Sequence, residues 1–113
     1  MVNLIIKNIK DIEEKLSQEV QNKIEEKSEY FKELLKKYEK DLTLEVIFDK
    51  SSSLYKVSAA IDLKSKKILS AEENKDVLKA VTKLFNEFKK IVKKQYELEH
   101  KDYEYKRKRN KKK

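Results

Sequence analysis

Towards the end of this chain, lysines recur at intervals of four and seven residues, which places them on one side of a helix. Between residues 77 and 95 there are six lysines and a single acid, Glu87. Lysine ammonium groups contact phosphates as point charges, which gives affinity and salt dependence without base specificity. The pattern predicts a surface that binds a polyanion, and a plain solvated helix surface is the alternative. The candidate residues are Lys79, Lys83, Lys90, Lys94 and the neighbouring Lys93.

The positive charge of the chain is concentrated at its C-terminal end. Residues 1–76 carry a net charge of −1, residues 77–105 carry +2, and residues 106–113 carry +7 of the total of +8. The last segment has no apolar side chain, which predicts a disordered basic tail over residues 106–113. Such a tail raises the local concentration of nucleic acid. Its first residues, Lys106, Arg107, Lys108 and Arg109, are further candidate RNA contacts.

Enzyme chemistry is difficult to build from the other residues. The chain has no Cys, Gly or Pro, which excludes thiolate nucleophiles, thiolate metal sites and Gly-rich phosphate loops. His100 is the only histidine, and we expect it to be solvent-exposed in a charged segment. Glu72 and Glu73 are better explained as acids in the turn before a helix than as paired catalytic carboxylates. We therefore expect no catalysis, no bound metal and no cofactor.

The tyrosines are candidates for stacking on nucleic-acid bases. However, they form no paired platform on adjacent predicted strands, as base-stacking sheets require. For most of them we expect packing in the core or at its rim. Tyr103 and Tyr105 are the exceptions, because they are interleaved with the basic end of the chain.

The hydrophobic period of the chain changes along its length and defines the elements that carry these residues. Residues 2–9 read as a strand, 11–40 as a helix, 42–72 as three strands, and 76 to about 100 as a helix. The order β-α-β-β-β-α predicts an α+β fold, with a four-stranded sheet and two helices packed on one face. Short turns predict that the last three strands form an antiparallel meander. Residues 1–105 then form one domain.

The predicted helices have different signals at their starts. Asp11 followed by Glu14 resembles a capping box at the start of the first helix, and Asp76 is the predicted N-cap of the last helix. A continuous helix over residues 11–40 would be about 45 Å long. Because its apolar stripe loses register near Lys27 and Ser28, we expect either a break in the helix or a drift of the stripe there, and the sequence leaves the continuity of the helix open.

The chain has no segment that predicts a membrane location. No apolar run approaches the roughly 20 residues of a membrane span, and the first residues lack the basic start of a signal peptide. We expect a cytoplasmic protein that is a monomer and has no membrane partner.

One segment resembles a known family. In the ribosome hibernation-promoting factor family, also called ribosome-associated inhibitors or sigma-54 modulation proteins, a strand ends in Ala-x-Glu or Ala-Glu-Glu. A short turn and Asp-(Met/Leu)-Tyr-x-Ala-Ile then open a basic helix. Residues 68–81 read Ile-Leu-Ser-Ala-Glu-Glu-Asn-Lys-Asp-Val-Leu-Lys-Ala-Val, so Ala71, Asp76 and Ala80 match, whereas Leu78 stands at the family's Tyr. The resemblance covers about residues 2–95 and is to the short forms, which lack a second domain.

The resemblance implies a function as well as the fold order predicted above. Proteins of that family are non-catalytic factors that occupy the decoding groove of the small ribosomal subunit and contact its rRNA. They compete with tRNA and mRNA and block translation in stressed or resting cells. The basic positions that match are Lys83, Lys90 and Lys94, whereas Lys79 joins them only by sharing their side of the helix.

Two other hypotheses remain at the level of sequence. A double-stranded RNA-binding module has a related α-β-β-β-α core, but this chain lacks that module's Gly-Pro-x-His loop and Lys-Lys-x-Ala-Lys helix start. A structural or interaction protein that pairs its long first helix with a partner helix is the second alternative.

Overall fold

The chain folds in the element order that its sequence predicts. The structure is a computed structural model that describes residues 1–36, 38, 41–51, 53–63 and 66–111, and the side chains of all of these except residues 11 and 100–111. The elements are β1 (Val2–Lys7), a 3-10 turn (Ile9–Asp11), α1 (Glu14–Leu34), β2 (Leu42–Ser51), β3 (Leu54–Asp62), β4 (Lys67–Asn74) and α2 (Val77–Lys111).

The four strands form one mixed sheet in the order β1-β2-β3-β4. Strands β2, β3 and β4 are antiparallel neighbours, as the sequence predicts, and β1 pairs with β2 in parallel. A parallel pair requires a crossover between its strands, and α1 lies in that crossover. The connections from β2 to β3 and from β3 to β4 include residues 52, 64 and 65, which lie outside the described residues.

Alternation along the strands buries only one face of the sheet. On that face lie Leu44 and Val46 of β2, Val57 and Ile61 of β3, and Ile68 of β4, all at most 3% exposed. Both helices contact this face and each other, so the predicted arrangement of two helices on one face of a four-stranded sheet is confirmed.

The opposite face of the sheet is open to solvent and has mixed charge. Its most exposed aliphatic side chains are Ile5 (43% exposed) and Leu69 (66%). Its positive and negative charges are nearly equal in number. Lys7 forms an ion pair with Glu45 at 3.2 Å. Strand alternation assigns seven charged residues to this open face: Lys7, Lys56, Lys67, Glu45, Asp49, Asp62 and Glu73.

The first helix begins later than the sequence predicts. Asp11 lies in the 3-10 turn, and α1 begins at Glu14 after an N-cap residue, Glu13, that makes no side-chain capping hydrogen bond. The capping-box prediction was therefore wrong. Between the turn and the helix, Ile12 is extended and only 4% exposed, so burial of this apolar side chain takes precedence over an earlier helix start.

The first helix is also continuous past Lys27 and Ser28. It spans 21 residues, or about 31 Å at 1.5 Å per residue. Ser28 is fully buried between the apolar positions Ile24 and Phe31, and its hydroxyl donates to the Glu25 carbonyl oxygen at 2.7 Å. Of the two alternatives near Lys27 and Ser28, the break is ruled out, because a serine that bonds to its own helix can occupy the buried stripe.

The second helix is longer than predicted. Its backbone is helical from Val77 to Lys111, whereas the sequence predicted a helix only to about residue 100. The division into a domain over residues 1–105 and a disordered tail over 106–113 stays a prediction. Neither helix, within the described part of the chain, is long and apolar enough to cross a membrane.

Aromatic rings join the two helices over the sheet. The Phe31 ring centroid lies 6.0 Å from that of Phe85 and 5.4 Å from that of Phe88. Near the C-terminal end of α1, the rings of Tyr38 and Tyr96 lie 6.0 Å apart. Burial and the neighbouring Glu99 carboxylate raise the pKa of Tyr38 to about 12. These contacts hold α1 along one side of α2.

Replacing Ser28 tests how closely α1 packs. We expect Ser28→Leu to lower the free energy of unfolding by about 1–3 kcal/mol, because a fully buried position has no room for added methyl groups. Ser28→Ala should change it much less, since the lost hydrogen bond is local. Urea unfolding monitored by circular dichroism gives both values. The control is Ser17→Leu, since Ser17 makes the same hydroxyl bond to residue i−3 at the helix surface. Equal losses at both positions would contradict tight packing.

Candidate nucleic-acid interface

The candidate interface is built on α2, and the start of that helix is fixed by side chains. The Asp76 carboxylate accepts backbone N–H bonds from Leu78 at 3.0 Å and from Lys79 at 3.4 Å. The Asn74 side chain in turn accepts the N–H of Asp76 at 2.9 Å. Asp76 is therefore the N-cap, as predicted, and satisfies backbone donors that the first turn leaves unpaired.

One side of α2 is buried against the sheet and α1. Ala80 is fully buried there, where a small side chain lets the helix approach the strands closely. The buried positions of α2 recur at helical spacing, so their burial determines which residues of α2 point outward. The buried residues are Val77, Ala80, Val81, Leu84, Phe85, Phe88 and Val92.

The predicted lysines lie on the outward side of α2. We name this set the α2 basic face, and all five of its side chains are exposed to solvent. Lys90 forms an ion pair with Glu87 at 3.7 Å, and these two side chains are 75% and 56% exposed. An ion pair so exposed contributes little stability, so Lys90 can exchange this partner for a phosphate at small cost. The α2 basic face consists of Lys79, Lys83, Lys90, Lys93 and Lys94.

The candidates in the basic tail are only partly described. The backbone at Lys106, Arg107, Lys108 and Arg109 belongs to α2, but their side chains lie outside the described residues, as do those of Tyr103, Tyr105 and His100. The structure therefore does not test their predicted roles.

Two features weighed from the sequence, a metal cluster and a pair of catalytic carboxylates, can be compared with the described residues. Among them there is no group of three or more His, Cys, Asp or Glu side chains that could hold a metal ion. Glu72 and Glu73 are neighbours in β4 rather than in a turn, so their side chains point to opposite faces of the sheet. The two carboxylates therefore do not converge on one reactant.

One basic contact beside the interface was missed by sequence reasoning. The ammonium group of Lys89 lies 4.6 Å from the ring centroid of Tyr30, within the range of a cation–π contact. Lys89 is exposed and lies on the flank of α2 next to α1, outside the four- and seven-residue series. Only the pairing of the two helices brings it to Tyr30, and no local spacing signals that contact.

A cleft opens between the helices at this contact. It has a volume of about 210 Å³. Phe31 and Phe85 form its apolar floor, since both are almost fully buried. The remaining lining residues are Glu26, Lys27 and Tyr30 of α1, and Asn86 and Lys89 of α2. Asn86 and Lys89 connect the cleft to the α2 basic face.

Comparison with known proteins finds similarity in structure but not in sequence. No protein-family description and no curated protein matches the sequence. The chain is similar to the N-terminal domain of Protein Y from Thermus thermophilus, with a TM-score of 0.60 and 16% identity over 82% of this chain and 96% of that one. It is also similar to a ribosomal subunit interface protein from Coxiella burnetii, with a TM-score of 0.50 and 15% identity over 88% and 98%.

These similarities concern the fold. They extend over nearly the whole length of both solved chains and over 82% and 88% of this chain. The resemblance to the ribosome hibernation-promoting factor family that the sequence suggests is confirmed at the level of the fold. The RNA-contacting roles of individual lysines stay predictions.

Removing the Asp76 carboxylate tests whether the cap fixes α2. We expect Asp76→Ala to lower the free energy of unfolding by about 0.5–2 kcal/mol, because the N–H groups of the first turn lose their acceptor. Chemical denaturation gives the difference. Asp62→Ala is the matched control, since it removes one exposed carboxylate from the end of a strand. An equal effect of the two substitutions would show that charge, not capping, is responsible.

Proposed function

We propose that this chain is a non-catalytic ribosome-binding factor that contacts rRNA of the small subunit through the α2 basic face. The observation that carries the proposal is the segregation of charge on α2, with five exposed lysines on a helix whose other side is buried in the core. The fold shared with a ribosomal subunit interface protein supports the ribosome as the source of the polyanion.

The proposed mechanism is occupancy. A preformed domain that binds in the decoding groove of the small subunit excludes tRNA and mRNA, and translation stops for as long as it stays bound. Lysines give this contact affinity but no base readout, and the basic tail adds non-specific attraction. Binding of this kind takes place where ribosomes are, in the cytoplasm, and a single copy of the chain suffices.

The alternatives have less support. Partner-helix pairing needs an apolar stripe on α1, but Val20, Ile24 and Phe31 are buried inside the domain, and none of the exposed large apolar residues of the described chain lies in α1. A double-stranded RNA-binding module uses the same chemistry of lysine and phosphate, but this chain lacks that module's Gly-Pro-x-His loop and Lys-Lys-x-Ala-Lys helix start, and no structural observation favours that module.

Charge reversal on α2 tests the site. We expect the triple variant Lys83→Glu, Lys90→Glu and Lys94→Glu to abolish co-sedimentation with small subunits. The wild type should lose about 0.7–0.9 log unit of affinity per phosphate contact for each tenfold rise in salt. Sucrose-gradient sedimentation at two salt concentrations measures both effects.

The control for this variant makes the same change in net charge elsewhere. Lys15→Glu, Lys56→Glu and Lys67→Glu reverse three exposed lysines of α1 and the sheet, and this variant should still bind. A further variant, with residues 106–113 deleted, should bind more weakly at the same site. If the deletion abolished binding and the α2 reversal did not, the tail and not the α2 basic face would be the ligand-binding element.

Stoichiometry tests the proposed mechanism. Inhibition by occupancy should require about one chain per ribosome, reverse on dilution, and be relieved by excess initiator tRNA with mRNA. An in vitro translation assay titrated against a known ribosome concentration measures this. Inhibition at chain concentrations far below that of ribosomes, with cleaved or modified RNA, would instead require an enzyme.

A further inference from the structure

We infer that the cleft between α1 and α2 binds one unstacked RNA base, with the Tyr30 ring as its stacking surface. This inference rests on the proposed RNA-binding function and adds to it a contact that reads a base rather than a phosphate. The sequence predicted the neighbouring α2 basic face but not this cleft.

The chemistry of the cleft fits a planar ring with a phosphate attached. Its floor, Phe31 and Phe85, is aromatic and apolar, which favours the face of a base over a bare phosphate. Its volume of about 210 Å³ is below the roughly 300–1000 Å³ of pockets that enclose drug-sized ligands. A site of this size holds an inserted ring and leaves the sugar and phosphate outside.

The polar side chains around the cleft fit the other parts of a nucleotide. The Asn86 amide has both donors and an acceptor for a base edge. Lys27 and Lys89 stand on opposite walls, one on each helix, where their ammonium groups can pair with the phosphates that flank an inserted base. Glu26 also lines the cleft, which disfavours a free phosphate dianion inside it.

The contact of Tyr30 with Lys89 shows that one face of the Tyr30 ring is accessible for stacking. Tyr30 is half-buried and makes an edge-to-face contact with Phe31, with centroids 5.3 Å apart, so its ring is packed against the floor of the cleft. Lys89 covers it with an exposed, flexible side chain. A base that replaces this ammonium group on the ring gains stacking, while Lys89 moves to the adjoining phosphate.

The ligand is single-stranded RNA. In a duplex, the base faces are already stacked on one another, so only an unpaired base can enter the cleft. The same helix, α2, supplies one wall of the cleft and the basic face, so a strand that crosses α2 can place its phosphates on the lysines and one base against Tyr30.

The test measures the affinity of the full chain for hexaadenylate by fluorescence anisotropy at fixed salt. We expect Tyr30→Leu to weaken binding roughly 5- to 150-fold, the equivalent of one stacked base, whereas Tyr30→Phe keeps the ring and the affinity. Tyr55→Leu is the matched control, because Tyr55 is also half-buried against the core and lies under a lysine, Lys50, at 5.2 Å. Circular dichroism confirms that each variant is folded.

Three further probes separate base stacking from other binding. A hexamer with abasic sites should bind the wild type more weakly than hexaadenylate and be insensitive to Tyr30→Leu. A duplex of the same length should also be insensitive. Adenosine monophosphate alone should bind far more weakly than the hexamer. Equal effects of Tyr30→Leu on hexaadenylate and the abasic hexamer, an unchanged affinity of Tyr30→Leu, or equally tight binding of the mononucleotide would each overturn the inference.

Failure of the inference is distinguishable from failure of the proposed function. If the wild type co-sediments with small subunits but binds hexaadenylate and the abasic hexamer with equal affinity, the cleft assignment is wrong and the proposed role of the α2 basic face stands. If hexaadenylate binds through Tyr30 but the chain does not sediment with subunits, the cleft is a site for single-stranded RNA and the ribosomal function is wrong.

Discussion

Burial of one side of α2 determines most of what this chain presents to its surroundings. Because Leu84, Phe88 and Val92 are buried in the core, the lysines on the opposite side of the same helix must face outward. The α2 basic face is thus not a separate structure added to the fold, since the apolar spacing that stabilises the domain also aligns its charges. A mutation that shifted the register of α2 would disturb the core and the basic face together.

Much of this arrangement could be predicted from the sequence because it rests on local signals. The alternating strands, the Asp76 cap and the lysine series on α2 are each encoded within a few residues. The start of α1 was misjudged because Ile12 is buried in an extended segment, a tertiary effect that outweighs a capping-box pattern. The possible break at Ser28 is not found. Ser28 counts as polar in a hydropathy profile, but its hydroxyl is hydrogen-bonded within its own helix, so the residue can be buried. The contact of Tyr30 with Lys89 joins residues 59 positions apart, so no short-range pattern contains it.

The absence of glycine and proline explains how the turns of this chain are made. Asn8 adopts the left-handed conformation, with φ of 62°, between β1 and the 3-10 turn. Asparagine tolerates this region better than most residues with a Cβ. Asp76 and Asn74 close the turn from β4 to α2 by accepting backbone hydrogen bonds. In these two described turns, short polar side chains therefore take the place that glycine and proline have in most small domains.

The open face of the sheet, with its nearly balanced charges, has a consequence for how the molecule approaches a polyanion. The α2 basic face is positive, the open face of the sheet is close to neutral, and α1 carries six acids against four lysines, so the charges of these elements form an electric dipole whose positive end is at α2. In the field of a large anion, such a dipole experiences a torque as well as an attraction. The α2 basic face is therefore turned towards the anion before any contact forms, and a larger share of encounters begins at that face.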